Sequence, residues 1–477
     1  MNVGIARTGV YIPSYRMKRE TIAKAWERPG LKGEKSVANT DEDSLTLAVE
    51  AAVSCLRGTQ RETVDALLFA STTPPYAEKS SAGLAAVAAD LKETVHTADF
   101  GASARAGTSA LKAALDAVAS GANDRVVVTA ADCPLGYPKS DQEQLAGDAG
   151  AAVLVAAEDL VAVYRASYSV NNEILDSWRN VDDRFPHTAE GRFAKDKGYG
   201  RAMSDVIDGL MSRAGLTPGQ ISRLVLATPG LRDSAQVAKR VGFTPEQLAD
   251  PLMMQVGYCA AAQPILLLAS ALETASPGDL ILVASYGYGA DAFLFEATEA
   301  VLEQQKDAVV ARNLARGRPL DSYSRFLSFR GILDAQPGEP FRTFPSTSAY
   351  WRDQASLLRL HGSKCYRCGT TTTPTNRICP VCHSKDDFEL VRLSDRTARV
   401  FTYSIDKLAG RSDDPVVVQT VCEDDEKTRY YLLMTDFDAE EVSVGMPVEF
   451  TFRKIYEGGN YINYYWKCRP AASAEGE

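Results

Sequence analysis

In the first two-thirds of the chain, apolar residues fall into short β-branched runs separated by Ala- and Leu-rich stretches, the alternation expected of a layered α/β domain. Val64–Ser71 predicts a buried strand, Ser109–Ser120 an Ala-rich helix ending at Gly121, and Arg125–Asp132 the next strand. The same order then returns as helix Leu266–Ser276, turn Pro277-Gly278-Asp279 and strand Leu280–Tyr286. Leu67–Thr72 likewise reappears as Leu224–Thr228. A helix and two strands recurring at a near-constant offset predict an internal duplication.

From Leu302 to Phe344 the pattern loosens around Pro319, Pro337 and Pro340, and a domain boundary is placed there. Ala349–Leu360 predicts a short amphipathic helix. Beyond Val391, alternating runs predict strands at Val400–Ile405, Val416–Val421, Arg429–Met434, Pro447–Phe452 and Ile462–Trp466. Short strands with Gly/Asp turns read as a small antiparallel barrel, and Pro470–Glu477 as a disordered tail.

Between helix and barrel stand Cys365-Tyr-Arg-Cys368 and Cys379-Pro-Val-Cys382. Each pair places two thiolates on a tight knuckle, with Gly369 suited to the turn, and two knuckles complete a tetrahedral four-sulfur site. Four protein ligands leave no open position, so the expected ion is a structural zinc; iron fits the same donors.

Composition narrows the function classes. The chain has 477 residues, 45% hydrophobic and 24% charged, with 34 Gly and 22 Pro, which excludes a disordered or collagen-like chain. A net charge of −10 argues against an electrostatic nucleic-acid binder. So do the acidic runs Asp413-Asp414, Glu423–Glu426 and Asp438–Glu441 in the barrel region. No apolar run approaches the ~18–20 residues of a membrane span, and the N-terminus reads as a first strand rather than a signal peptide. Nine cysteines, four of them clustered, suit a reducing compartment, so a cytoplasmic protein is expected.

Several phrases resemble the 3-hydroxy-3-methylglutaryl-CoA synthase branch of the thiolase superfamily: Asp41–Ala52, Thr73–Lys79, Arg105–Leu111, Gln236–Phe243 and Tyr286–Phe293. The resemblance covers about residues 2 to 335 and implies a duplicated thiolase fold, five-layered αβαβα, usually a homodimer, acting on an acyl-CoA thioester. Residues from about 346 to 470 resemble the rubredoxin-like zinc ribbon and OB-fold module that accompanies such enzymes. The implied organisation is a thiolase-like N-terminal half over 1–165 and C-terminal half over 166–335. A linker over 336–348, helix and zinc ribbon over 349–390, OB barrel over 391–470 and tail over 471–477 follow.

In that branch a cysteine forms an acyl-thioester, a histidine and an asparagine hold the thioester oxygen, and a glutamate moves the proton. Here the cysteine position is Ala104, the glutamate position Thr72, the histidine position Ala227 and the asparagine position Tyr258. Ser103 adjoins the vacant nucleophile position; a structural role at the start of a helix is its other reading. The candidate catalytic groups are therefore Tyr258, Tyr286, Tyr288, Tyr76 and Ser103, since a phenol can donate to a developing oxyanion or, with a lowered pKa, act as acid or base. Arg105, Lys239 and Arg240 are candidates for the CoA phosphates. The favoured expectation is aldol-type cleavage or formation of a C–C bond in an acyl-CoA. The alternatives are a condensing enzyme or acyltransferase, and a non-catalytic CoA-binding scaffold for a heteromeric thiolase partner.

Overall fold

A computed structural model describes residues 2–230, 232–333, 346–410 and 415–471. Most of the expected linker, the acidic pair Asp413-Asp414 and nearly all of the expected tail lie outside the described residues. The chain divides into two compact units. Unit 1 comprises Met1–Asn39, Asp43–Ala86 and Leu91–Phe326; unit 2 comprises Thr40–Glu42, Val87–Asp90 and Leu327–Glu477.

The main sheet of unit 1 has nine strands: β1 (Gly4–Tyr11), β2 (Ala66–Ala70), β3 (His96–Phe100), β4 (Arg125–Asp132), β5 (Ala149–Ala156), β6 (Ala162–Asn171), β7 (Arg223–Leu226), β8 (Leu280–Tyr286) and β9 (Gly289–Ala297). Their order is β7-β8-β9-β6-β1-β5-β4-β2-β3. The run β2-β4-β5-β1 recurs as β7-β8-β9-β6 with the same directions: β2/β4 and β7/β8 are parallel, the remaining pairs antiparallel. The partner of β3 in the second half shrinks to a parallel bridge, Leu224 to Leu248. The two halves join where β1 meets β6, at Gly4–Val163 and Ile5–Ala162.

Helices α1 (Ser44–Cys55), α2 (Ala106–Ala119), α3 (Arg201–Ala214), α4 (Asp233–Arg240) and α5 (Gln263–Leu272) complete the layers. Leu111 and Leu115 of α2 and Ile265 and Leu268 of α5 share one core with Val126 and Val128 of β4 and Ile281 and Val283 of β8. The intervening residues Leu282 and Ala284 point into a second core beneath α3 and α4. A strand buried on both faces reads as an unbroken apolar run, which is why β4 and β8 are so visible in the sequence. Both inner helices begin three residues earlier than expected. At α5 the cause is Pro264, which occupies the first turn, where its missing N–H would have had no partner.

Unit 2 holds a three-stranded sheet and a five-stranded one. The first runs β11-β10-β12, from β10 (His361–Cys365), β11 (Thr371–Thr372) and β12 (Phe388–Arg392). The second runs β15-β14-β13-β16-β17, from β13 (Thr397–Asp406), β14 (Val417–Asp424), β15 (Arg429–Leu433), β16 (Pro447–Gly458) and β17 (Tyr461–Pro470). All its ladders are antiparallel, and a bridge from Met434 to Cys468 brings the end of β15 back to β17. Phe452 lies between Tyr464 and Trp466, whose indole N–H donates to Leu358 O at 2.8 Å. The helix expected at Ala349–Leu360 is instead two, Thr347–Arg352 and Gln354–Leu357. Asp353, a poor interior helix residue, ends one, starts the other and binds Arg352.

The centre of unit 2 is a buried charge cluster. Arg453, fully buried, contacts Asp41 Oδ1 (3.1 Å), Glu42 Oε1 (2.6 Å) and Asp436 Oδ2 (2.7 Å), while Lys467 Nζ meets Asp41 Oδ2 at 2.9 Å. Burial alone would push the Asp41 carboxyl up, but Lys467 and Arg453 outweigh it and hold the group well below the usual carboxylate range. Its contribution to stability is therefore complete above pH ~4 and is lost as acid protonates it. Arg453→Met strands buried carboxylates without their cation and should cost unit 2 about 3–5 kcal/mol, read from its denaturant midpoint. An unchanged midpoint would refute this.

Candidate active site

The site collects at the carboxyl ends of strands, where a parallel α/β arrangement leaves room for chemistry. Ser103, Ala104 and Arg105 form the turn into α2. Ser103 Oγ accepts a hydrogen bond from Arg105 N at 3.1 Å, the local bond of a helix-starting serine. At the nucleophile position Ala104 presents only a methyl group. The Tyr286-Gly287-Tyr288 turn, which joins β8 to β9, packs directly on it. A Cβ added to Gly287 would stand 3.0 Å from Arg105 N, 3.1 Å from Ser103 Oγ and 3.2 Å from Ala104 N. No imidazole hydrogen-bonds Ser103 among the described residues; His187, for example, pairs with Asp183 at 3.1 Å and stacks on Trp178.

Three of the candidate phenols sit in this neighbourhood. Tyr286 donates to Asp176 Oδ2 at 2.5 Å, and Tyr288, at φ +55°, donates to Ser177 O. Tyr258 is fixed through its backbone: its N–H donates to Leu145 O (2.7 Å) and its carbonyl accepts from Gly147 N (2.9 Å). Its hydroxyl has no hydrogen-bond partner among the described residues. Burial, then the charges of Asp132 and Asp176, push the Tyr258 phenol well above its ordinary value. Burial, then the bond to Asp176, do the same to Tyr286. A phenol with a lowered pKa is thus not what this site provides. Both tyrosines are neutral hydrogen-bond donors.

The remaining family positions are held by buried partners. Asp132, the last residue of β4, accepts from Ser71 Oγ (2.9 Å), Thr72 N (2.7 Å) and Thr73 N (2.9 Å) through one oxygen and from Ala261 N (2.8 Å) through the other. It pins the glutamate-position loop to the loop after Tyr258. Ala227 N donates to Ala284 O (3.0 Å), and Ala227 O accepts from Tyr199 OH (3.2 Å). Tyr199 meets the Tyr286 ring edge-on at 5.6 Å. A Cβ on neighbouring Gly198 would lie 2.5 Å from the Tyr286 oxygen.

The other residues differ in their surroundings. Tyr76 carries Lys79 Nζ over its ring at 5.5 Å, and no described contact ties it to Tyr258. Lys239 and Arg240, at the end of α4, are exposed; Arg240 reaches Asp196 at 3.6 Å. Arg105 is partly exposed but already engaged. Its Nε donates to Gly287 O (2.8 Å) and its Nη1 meets Asp291 Oδ1 (3.1 Å). Cys259 is buried, and burial followed by the Asp132 charge pushes its thiol far above the ordinary value. Sequence reasoning missed Asp176, Asp132 and Tyr199. The Asp176-Ser-Trp-Arg179 stretch, polar and aromatic outside any predicted element, was the available signal.

In unit 2 the four cysteine sulfurs lie within 4.8 Å of one another, the one such His/Cys/Asp/Glu group found among the described residues. Cys365–Cys382 and Cys368–Cys379 are 3.6 and 3.5 Å apart, close to the ~3.8 Å edge of a tetrahedron with 2.3 Å zinc–sulfur bonds. The knuckles match: Gly369 N donates to Cys365 O (2.9 Å) and His383 N to Cys379 O (3.0 Å), both with positive φ, +74° and +57°. Hydrogen bonding with Thr370 pulls the Cys368 thiol down to about 6. This donor set fits a thiophilic cation.

Mirrored strand runs, an inner helix pair and a site at the strand ends define a mixed α/β, thiolase-like fold. Solved structures agree. "HMG_CoA synthase complexed with CoA" superposes with a TM-score of 0.64 at 18% identity, covering 72% of this chain and 95% of that one. The 3-oxoacyl-[acyl-carrier-protein] synthase III from Aquifex aeolicus gives 0.56 at 23%, covering 62% and 99%. The family model "3-Oxoacyl-[acyl-carrier-protein (ACP)] synthase III C terminal" matches residues 211–294. Hydroxymethylglutaryl-CoA synthase of Methanopyrus kandleri is 33% identical over 343 residues, 69% of this chain and 98% of the relative. That of Methanocella arvoryzae is 33% identical over 347 residues, 70% and 99%. The chain belongs to the hydroxymethylglutaryl-CoA synthase family. These relatives favour the condensing alternative over the cleavage reading. No described helix is long and apolar enough to cross a membrane.

Proposed function

We propose that unit 1 is an acyl-CoA condensing enzyme of the hydroxymethylglutaryl-CoA synthase type whose C–C step is aldol-like and proceeds without an acyl-cysteine. One observation carries this reading: where a thiol would stand there is Ala104, the Tyr286–Tyr288 turn packs against it, and the Tyr286–Asp176 pair of that turn neighbours Tyr258, whose hydroxyl has no hydrogen-bond partner among the described residues. The names of the relatives support the substrate class, a CoA thioester, and the direction of condensation.

Condensation starts with removal of a proton from Cα of the thioester. The Asp176 carboxylate takes it, oriented by the Tyr286 hydroxyl that donates to it, and the resulting enolate oxygen is held by the Tyr258 hydroxyl. The enolate carbon attacks a ketone or aldehyde carbonyl, forming the C–C bond as the carbonyl π pair moves to oxygen. Asp176 returns its proton to that alkoxide while Tyr286 stays a neutral hydrogen-bond donor. The thioester is never broken, and the proton lost by carbon ends on the new hydroxyl. Cleavage is the same sequence reversed. Exposed Lys239 and Arg240 are the cations left for the CoA phosphates. In unit 2, residues 349–390 are read as helix and zinc ribbon and 391–470 as an OB-type barrel; zinc there would be structural, a tie between the two cysteine knuckles.

Intact-protein mass measurement tests the covalent question. After incubation with acetyl-CoA or a longer acyl-CoA, no acyl increment is expected. An adduct on Ser103 that disappears in Ser103→Ala would instead establish acyl transfer. Binding of CoA thioesters with no turnover of any of them would favour the scaffold alternative.

A further inference from the structure

The residue after the vacant nucleophile position is basic, and its surroundings give it a different task from charge recognition. Arg105 is mostly withdrawn from solvent, its side chain 20% exposed and that of Asp291 9%. One nitrogen of its planar fork holds Gly287 O at 2.8 Å and another holds Asp291 Oδ1 at 3.1 Å; the second Asp291 oxygen accepts from Thr108 Oγ1 at 2.8 Å. Thr108 lies on α2 and Asp291 on β9, so the bonds form a closed loop from the helix to the turn and back. Gly287 is the residue between Tyr286 and Tyr288. The turn is not in a relaxed conformation, since Tyr288 has φ +55°; in the segment before Ser103, Ala102 has φ +69°. Non-glycine residues persist there only where surrounding contacts over-determine them.

We infer that Arg105 is a positioning residue for the catalytic turn rather than a ligand for the CoA phosphates. It fixes where the Tyr286 and Tyr288 hydroxyls stand relative to the methyl-lined position 104. The inference rests on the proposed reaction for its kinetic consequence, not for its structural one. A lysine cannot replace Arg105 here, because a point charge does not span a carbonyl and a carboxylate at once. A phosphate, by contrast, accepts either cation.

The test uses the full-length protein with Arg105→Met, Arg105→Lys and Gly287→Ala. Hydrogen exchange of the peptide covering residues 284–292 should accelerate in both Arg105 variants while exchange in α3 stays unchanged. On a turned-over thioester, kcat should fall ~10²-fold in both, the scale of a 1 Å misplacement, with KM within about twofold of wild type. Gly287→Ala, which pushes the turn off residues 103–105, should reproduce the kcat loss with Arg105 intact. A raised KM in Arg105→Met restored by Arg105→Lys, with exchange at 284–292 unaltered, would overturn the assignment and make Arg105 a phosphate ligand. If the wild type turns over no thioester, the proposed reaction fails, and the exchange comparison alone decides the positioning role.

Discussion

Tyr258→Phe should reduce turnover of the correct thioester ~10²–10³-fold, about 3–4 kcal/mol of transition-state stabilisation. The argument starts from what the substitution leaves alone. The backbone of Tyr258 is held by Leu145 O and Gly147 N, neither of which involves the phenol. The ring volume is retained, so packing against the loop pinned by Asp132 persists. Only the hydroxyl is lost, and it forms no internal hydrogen bond among the described residues, so the melting temperature and thioester affinity should hardly move. Because burial and the charge of Asp132 keep the phenol protonated, the proposed donor role should hold across the neutral pH range. Its removal should therefore lower the plateau of the pH–rate profile without shifting the limbs. Full turnover in Tyr258→Phe, with loss in Tyr286→Phe, would transfer the oxyanion role to Tyr286. Loss in none of the tyrosine variants, together with no turnover, would leave the chain a CoA-binding scaffold.

What the sequence revealed follows from how local each feature is. Arg125–Asp132 and Leu280–Tyr286 are legible to the residue because both faces of each strand are buried, and their repetition announces the mirrored halves. The cysteine pairs are legible because their ligands are neighbours. The active-site groups divide differently. Tyr258, Ala104 and Thr72 could be placed by family resemblance, but Asp176 reaches Tyr286 across 110 positions from a stretch with no periodicity. Arg105 shows the converse: a basic residue at the start of a helix suggests a phosphate, whereas its partners Gly287 O and Asp291 come only from the fold. The Arg453 cluster is the least legible, since Asp41 and Arg453 are 412 positions apart and each alone reads as a solvated charge. Thr40–Glu42 belongs to unit 2 for a reason no composition shift could show.

Metal analysis of protein purified under reducing conditions should find about one zinc per chain, and its removal should unfold the cysteine-bearing sheet of unit 2. The strands there cannot stand alone: β11 is two residues long, and β10 and β12 five each. A sheet that small buries too little apolar surface to offset the ordering entropy of its loops. The residues at the knuckle tips, Tyr366, Ile378 and Val381, are exposed rather than packed inward. A cation is what can hold four sulfurs at 3.5–3.6 Å in pairs without mutual repulsion once they ionise. Structural zinc contributes on the order of 10–16 kcal/mol of binding free energy at neutral pH, comparable to a whole domain's typical stability. Chelation, or Cys365→Ser, should accordingly accelerate hydrogen exchange over residues 361–392 by orders of magnitude, while α2 and α5 of unit 1 keep their protection. Iron would reveal itself by visible absorption, and a Cys-to-Cys disulfide by a mass deficit of two hydrogen atoms. Either outcome, or a metal-free protein with full protection over 361–392, would refute the zinc assignment.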